Sequence, residues 1–354
     1  MKSPATLLDV AEAAGVSKST AANVFNHPER VRPEVRSRVE DAARSLGFAG
    51  PDPRGRLLSS GKAHVIGIVP SGEGISWVFD DPYMRTVLSA VAGACEEHKA
   101  ALQLIDGHGE SGADAIRRAV VDGLILATAE QARAIDRALR KRLPIVVMDR
   151  TPDTDISAVS IDDRGGARRI TEHLLALGHR RMLVATLTRT WIAPVLHRVT
   201  GSARQLVSAH PADEERLAGV AEALTAAGLS INDMPLVEAW GSEEERKRYG
   251  SGAALIFDSL DGATAVVALG GDIALSTLAE ARARGLIVPR DLSIAGFDDP
   301  PAAAISDPPL TTIAAPVADS ARLAARLLLD AGKPQHVELA VKLIVRASTA
   351  PPRR

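Results

Sequence analysis

The stretch Asp9 to Asn26, DVAEAAGVSKSTAANVFN, holds two short helical patterns broken by Gly15, Val16 and Ser17, and the second is poor in large side chains. Thr6 is placed to cap the first helix, and Asp9 three residues on completes a variant of the capping box. Leu7, Val10, Ala11 and Ala14 then share one face, Gly15 supplies the turn, and Ser17 caps a second helix whose apolar positions are Ala21, Val24 and Phe25. A third helix opens at Pro33 and runs to Leu46, with Val35, Val39, Ala42 and Leu46 turned inward. Three such helices suit a small cap on an enzyme. They also suit a helix-turn-helix unit whose second helix enters a DNA major groove about 12 Å wide, where outward side chains must be short and able to hydrogen-bond. The turn glycine and the cap serine favour the second reading.

Outward from this stretch the chain changes character. The first 48 residues carry no strand signal, and Gly50 to Lys62, GPDPRGRLLSSGK, reads as a linker with at most a short helix from Pro53. From His64 on come nearly continuous apolar runs: HVIGIVP, ALQLID, VDGLILA, LPIVVMD, AVSID, RRMLVATL, PLVEAW, TAVVALG and LSIAGFDD. Strands covered on both faces read this way, and amphipathic segments such as Arg164–Leu177 and Asp213–Ala227 lie between them. Repeated strand–helix order predicts doubly wound parallel sheets, and so many strands call for two α/β lobes with a ligand cleft at the strands' carboxyl ends. The expected fold is an all-α helix-turn-helix headpiece joined to a two-lobed α/β core.

Composition narrows the setting. The 354 residues are 46% hydrophobic with a formal net charge of −2, so any basic surface is local. A single cysteine, Cys95, excludes disulfides within the chain and a cysteine-based zinc site. The opening residues lack the apolar core of a secretory signal, and no run is long enough to span a bilayer, so a cytoplasmic protein with no membrane partner is expected. No GxxxxGK phosphate loop, GxSxG elbow or HExxH pair occurs, and His173 and His179 read as structural residues. No catalytic set, metal site or cofactor is therefore expected.

The same residues carry a resemblance. TLLDVAEAAGVSKSTAANVFN is similar to the DNA-binding signature of the LacI family of bacterial transcription regulators, and IGIVP, VDGLIL, HLLALGHRR, RLAG, GFDD, PPLTTI and VRAST follow in that family's order. The resemblance implies a headpiece over residues 1–50, a hinge helix over 51–62 and a periplasmic-binding-protein-like core over 63–354, with three crossings between lobes. By the family's pattern the N-lobe is expected at about 63–162 and 300–329, and the C-lobe at about 163–299 and 330–354. It implies that Lys18, Ser19 and Asn23 face base edges, that Thr6, Ser17, Thr20 and Asn26 join them at the DNA, and that Leu58 wedges into the minor groove at the operator's centre. Asn23 stands where the family usually has arginine, exchanging a fork suited to guanine for an amide suited to adenine. Gly55 stands where the hinge usually has alanine.

For the cleft, the resemblance implies that Tyr83, Arg216, Asp272 and Asp298 bind a small effector, a sugar or sugar derivative. Carboxylates and an arginine converging on one site can fork onto vicinal hydroxyls. The family's frequent Asn-Asp pair stands here as Gly271-Asp272, one amide fewer. The implied partners are a palindromic double-stranded DNA operator and a second copy of the chain, since one headpiece reads only a half-site. A soluble sugar-binding receptor without DNA function is the alternative, and an α/β enzyme a weaker one.

Overall fold

The computed structural model describes residues 5–50, 61–70, 74–107, 109–135, 140, 142–151, 154–187, 194–197, 211–239, 252–330 and 332–353. It divides into two units, residues 1–63 and 64–354.

The first unit is built from α1 (Leu7–Ala13), α2 (Lys18–Asn26) and α3 (Pro33–Leu46). Thr6 and Asp9 form the full capping box: the Asp9 carboxylate accepts from the Thr6 amide at 2.7 Å, and the Thr6 hydroxyl accepts from the Asp9 amide at 3.4 Å. Gly15 turns the chain with φ +65°, a left-handed conformation that glycine adopts without a Cβ clash. Val10, Ala11, Ala14, Ala21, Val24, Val39, Ala42 and Ala43 form the core. Leu46, expected inward, is 41% exposed. The chain turns at Gly47 (φ +64°) and sends Phe48 back instead, edge-on to Phe25 with ring centroids 5.6 Å apart.

In the second unit, one lobe holds β1 (Val65–Val69), β2 (Ala101–Leu104), β3 (Gly123–Leu126), β4 (Ile145–Val147) and β5 (Ser157–Ile161). With β12 (His336–Leu339) they make an all-parallel sheet in the order β12-β5-β4-β3-β1-β2. Its helices are α4 (Trp77–Asp80), α5 (Pro82–Glu97), α6 (Gly109–Arg118) and α7 (Ala129–Ala134), joined by α13 (Val317–Leu329). Both faces are covered: Ile125 packs with Val87, Val91 and Ala324 on one side, while Leu124 and Leu126 pack with Ile116 and Ala132 on the other. That double burial is why the inner strands β1, β3 and β4 lack polar alternation.

The other lobe holds β6 (Met182–Leu187), β7 (Val195–His197), β8 (Leu236–Ala239), β9 (Ala265–Ala268), β10 (Ser293–Gly296), β11 (Thr311–Ala314) and β13 (Lys342–Ile344). Their order is β13-β11-β10-β9-β6-β8-β7, parallel apart from the antiparallel edge pairs β7–β8 and β11–β13. Flanking helices are α8 (Asp163–Ala176), α9 (Pro211–Ala226), α10 (Gly252–Asp258), α11 (Gly271–Ala283) and α12 (Pro301–Ile305).

The chain crosses between sheets after β5, after β11 and after β12. Two stretches therefore change lobes relative to the sequence expectation. β11, placed by sequence in the N-lobe segment 300–329, hydrogen-bonds to β10 in the C-lobe sheet, and β12, placed in the C-lobe segment 330–354, extends the N-lobe sheet beside β5. The physical reason is edge completion: β12 covers the open edge of β5, and the last strand returns to cover β11.

Candidate functional site

On the headpiece, Ser17 caps α2 by accepting from the Thr20 amide at 3.0 Å, and its hydroxyl lies 2.8 Å from the Thr20 hydroxyl. Buried Ala21 and Val24 fix which side of α2 packs. Helical spacing of about 100° per residue then sets Ser19, Asn23 and Asn26 along the opposite side, with Lys18 at its flank. Lys18, Ser19 and Asn26 are exposed and Asn23 is half-buried, as is Thr20, while Thr6 and Ser17 stand exposed at the caps. Leu58 and Gly55 lie outside the described residues.

In the core unit the polar cluster assembles at the carboxyl ends of strands. Asp163 opens α8 just past β5, the Leu269 carbonyl follows β9, and Phe297 and Asp298 follow β10. Arg216, on α9, reaches all of them: Nε donates to Asp163 Oδ1 at 2.7 Å, Nη1 to the Leu269 carbonyl at 2.7 Å, and Nη2 to Asp298 Oδ1 at 3.1 Å. Its guanidinium carbon sits 3.9 Å from the centroid of the Phe297 ring, within cation–π range. The residue is 8% exposed, so its charge is stabilised by these partners in place of water. Gly219 makes this reach possible: a Cβ there would lie 2.1 Å from the Arg164 carbonyl oxygen, so α8 and α9 pack closer than any side chain would allow.

Asp298 has φ +70° and Asp299 φ +49°, two consecutive left-handed residues. The turn aims Asp298 both at Arg216 and, through Oδ2, at the Gly271 amide, 3.4 Å away at the start of α11. Asp272 follows, its pKa raised by burial and then by the nearby Asp298 charge. From the other lobe comes Asp81, which caps α5 by accepting from the Tyr83 amide at 3.0 Å. Burial pushes Asp81 up to about 6, against the pull of that amide, and Asp272 and Asp298 add to the rise. Asp163 is likewise pushed up to about 6 by burial, against the opposing pull of Arg216. Tyr83 keeps 41% of its surface open, yet the protein crowding its phenol raises its pKa, and the Asp298 carboxylate adds to this.

Tyr83, Arg216, Asp272 and Asp298, picked out by sequence, thus interact within one site. Sequence reasoning missed Asp81, Asp163, Asp213 and Phe297. Asp213 is buried on α9 and acts electrostatically on both Arg216 and Asp163. The available signal was position: Asp163 and Phe297 directly follow apolar strand runs, where open α/β sheets place ligands. Position 271 holds a further difference. A Cβ there would meet Pro300 Cδ at 2.7 Å and the Phe297 carbonyl oxygen at 3.0 Å, so the Phe297–Pro300 turn occupies the space an asparagine would need. Among the described residues no group of three His, Cys, Asp or Glu side chains is arranged to hold a metal ion, and no helix is long and apolar enough to cross a membrane.

A helical headpiece with a groove-sized second helix, followed by a two-lobed core with a charged cleft, defines a class of ligand-responsive helix-turn-helix regulators. Comparison with known proteins agrees: residues 6–50 match the bacterial regulatory proteins of the lacI family, and residues 171–349 match the periplasmic binding protein-like domain. The HTH-type transcriptional regulator Rv3575c of Mycobacterium tuberculosis is 34% identical over 365 residues, covering 98% of this chain and 97% of that protein. Among solved structures, a transcriptional regulator CelR–cellobiose complex is 26% identical with a TM-score of 0.65, over 97% of this chain and 99% of that one. The lac repressor dimer bound to operator and the anti-inducer ONPF shares the fold, with a TM-score of 0.76 at 23% identity over 98% and 100% of the two chains. The chain belongs to the LacI family and is a DNA-binding transcriptional regulator.

Proposed function

We propose that this regulator is a homodimeric cytoplasmic repressor, without catalytic activity, whose grip on a palindromic operator is set by an uncharged polyhydroxylated effector held by Tyr83, Arg216, Asp272 and Asp298. The reading rests chiefly on Arg216. Three protein acceptors fix its guanidinium, leaving further N–H donors of the fork for a ligand, beside carboxylates that accept from hydroxyls. A ligand lacking those hydroxyls would leave the remaining donors and acceptors of the site unsatisfied, which is how such a site selects. That a CelR complex carries cellobiose supports a sugar as the ligand class.

On the DNA side, Lys18, Ser19 and Asn23 read bases, and Thr6, Ser17, Thr20 and Asn26 hold the backbone. Two headpieces are needed for one operator, which makes the dimer part of the reading. The experiment is a calorimetric titration of a panel including cellobiose and ribose into the wild type, Arg216→Ala and Asp298→Ala, with operator gel-shifts in parallel. Loss of sugar binding with operator binding kept is expected. Loss of operator binding alone would assign these residues to structure.

A further inference from the structure

Within the carboxyl-terminal VRAST segment, Arg346 makes close contacts on the turn that carries Asp298. Its Nη1 donates to Asp299 Oδ1 at 2.6 Å and its Nη2 to Asp299 Oδ2 at 3.1 Å, a two-pronged grip between side chains 18% and 22% exposed. The guanidinium is itself braced: Nη1 also donates to the Leu310 carbonyl at 2.8 Å, and the Arg346 backbone amide donates to Thr311 Oγ1 at 3.0 Å. Arg346 is thus anchored on the chain entering β11, just after β13, and holds Asp299 from there.

Asp298 and Asp299 both sit at positive φ, a conformation that residues with a side chain avoid unless their surroundings impose it. Aspartate tolerates this region better than most residues, and two in succession are held there by the closing contacts: Asp299 on Arg346, and Asp298 on Arg216 and the Gly271 amide. Pro300 completes the turn by lying over Gly271, where even a Cβ would meet it at 2.7 Å. The turn is therefore seated from two sides, one belonging to the cleft and one to the carboxyl-terminal segment.

We infer that Arg346 is a positioning residue for the cleft: by gripping Asp299 it enforces the left-handed turn that presents the Asp298 carboxylate to Arg216. The inference rests on the proposed role of Asp298 in effector binding for its functional meaning, but its geometry can be tested without any ligand. It also gives the last residues of the chain a link to the cleft that a structural brace on β11 alone would not require.

The test is a crystal structure of the full-length chain carrying Arg346→Gln, Arg346→Lys, or Arg346→Gln together with Asp299→Gly. In Arg346→Gln the Asp298 and Asp299 φ values should leave the positive region, and the 3.1 Å Arg216–Asp298 contact should open beyond hydrogen-bond range, about 3.5 Å. Adding Asp299→Gly should restore the contact although the ion pair stays absent, because glycine takes positive φ freely. A merely structural role would not be rescued in this way. Arg346→Lys keeps the charge and one prong, and should show a partial shift; it carries the test if Arg346→Gln does not fold. An Arg346→Gln structure with both φ values positive and the contact intact overturns the inference, as does a double variant in which Asp298 stays displaced. Titration of Asp298→Ala with the sugar panel separates the two ideas: unchanged sugar binding there removes Asp298 from the effector site, whatever Arg346 does to the turn.

Discussion

Replacing Gly219 by alanine sets two effects of opposite sign against each other. Helix propensity alone favours the change by about 1 kcal/mol. The structure opposes it, since the added Cβ would lie 2.1 Å from the Arg164 carbonyl oxygen and 3.0 Å from both the Arg164 carbonyl carbon and the Arg168 nitrogen. These are backbone atoms of α8, so no side chain can swing aside, and the two helices must part by roughly 1 Å to restore ordinary contact. Overpacking of this kind costs about 1–3 kcal/mol, and a backbone clash belongs at the upper end. The net loss is about 1–2 kcal/mol, which lowers the melting temperature of the core by about 2–8 °C. Gly93, in α5, is the internal comparison, because nothing lies within 4 Å of its would-be Cβ. Gly93→Ala should raise stability by up to about 1 kcal/mol. Thermal melts followed by far-UV circular dichroism read both. If Gly219→Ala raises the melting temperature alongside Gly93→Ala, close packing of α8 on α9 is not what positions Arg216 beside Asp163.

Other expectations follow from the same geometry. Asp81→Asn keeps the helix cap, since asparagine caps as well as aspartate, but removes a carboxyl whose folded-state pKa is pushed up to about 6. Such a group holds its proton more tightly folded than unfolded, so it makes stability fall as pH rises from about 4 to about 6; melts across that window should show a shallower decline in the variant. Ser17→Ala leaves the Thr20 amide without its cap and should destabilise the headpiece by about 1 kcal/mol in denaturant titrations. Asn23→Arg should change operator preference at one symmetric position in a selection experiment, toward guanine, while identical preferences would remove Asn23 from base readout.

Much of this was legible in the sequence for physical reasons. The headpiece declares itself through caps and spacing, which are local, and Thr6, Gly15 and Ser17 fold as their neighbours dictate. Eight of the nine apolar runs became strands largely buried on both faces, which writes an unbroken pattern, while ALQLID became the edge strand β2 with alternate residues exposed. β7, β12 and β13 escaped notice for the converse reason: they are short edge strands with exposed or half-exposed residues, and only their partners make them strands; buried β11 also has no counterpart among those runs, its TTIA being half threonine. The lobe assignment of β12 was misplaced on the same ground, since its pairing of His336 with Ala158 spans about half the chain and leaves no local trace; β11 was misplaced although its partner β10 lies close before it in the chain. In the cleft, Arg216, Asp272 and Asp298 could be picked out by resemblance. Asp81 and Asp163 could not, because their role arises from lobes and helices brought together, and no motif marks the turn that Arg346 holds.

The central claim is that cleft and headpiece are thermodynamically linked. Its most direct measurement is the affinity of the tightest-binding sugar of the panel for the free regulator and for the operator-bound regulator, set against operator affinity with and without that sugar. Linkage requires the two ratios to be the same factor, about 5- to 150-fold for ordinary coupling energies. A sugar that binds free and DNA-bound protein equally well would contradict the account.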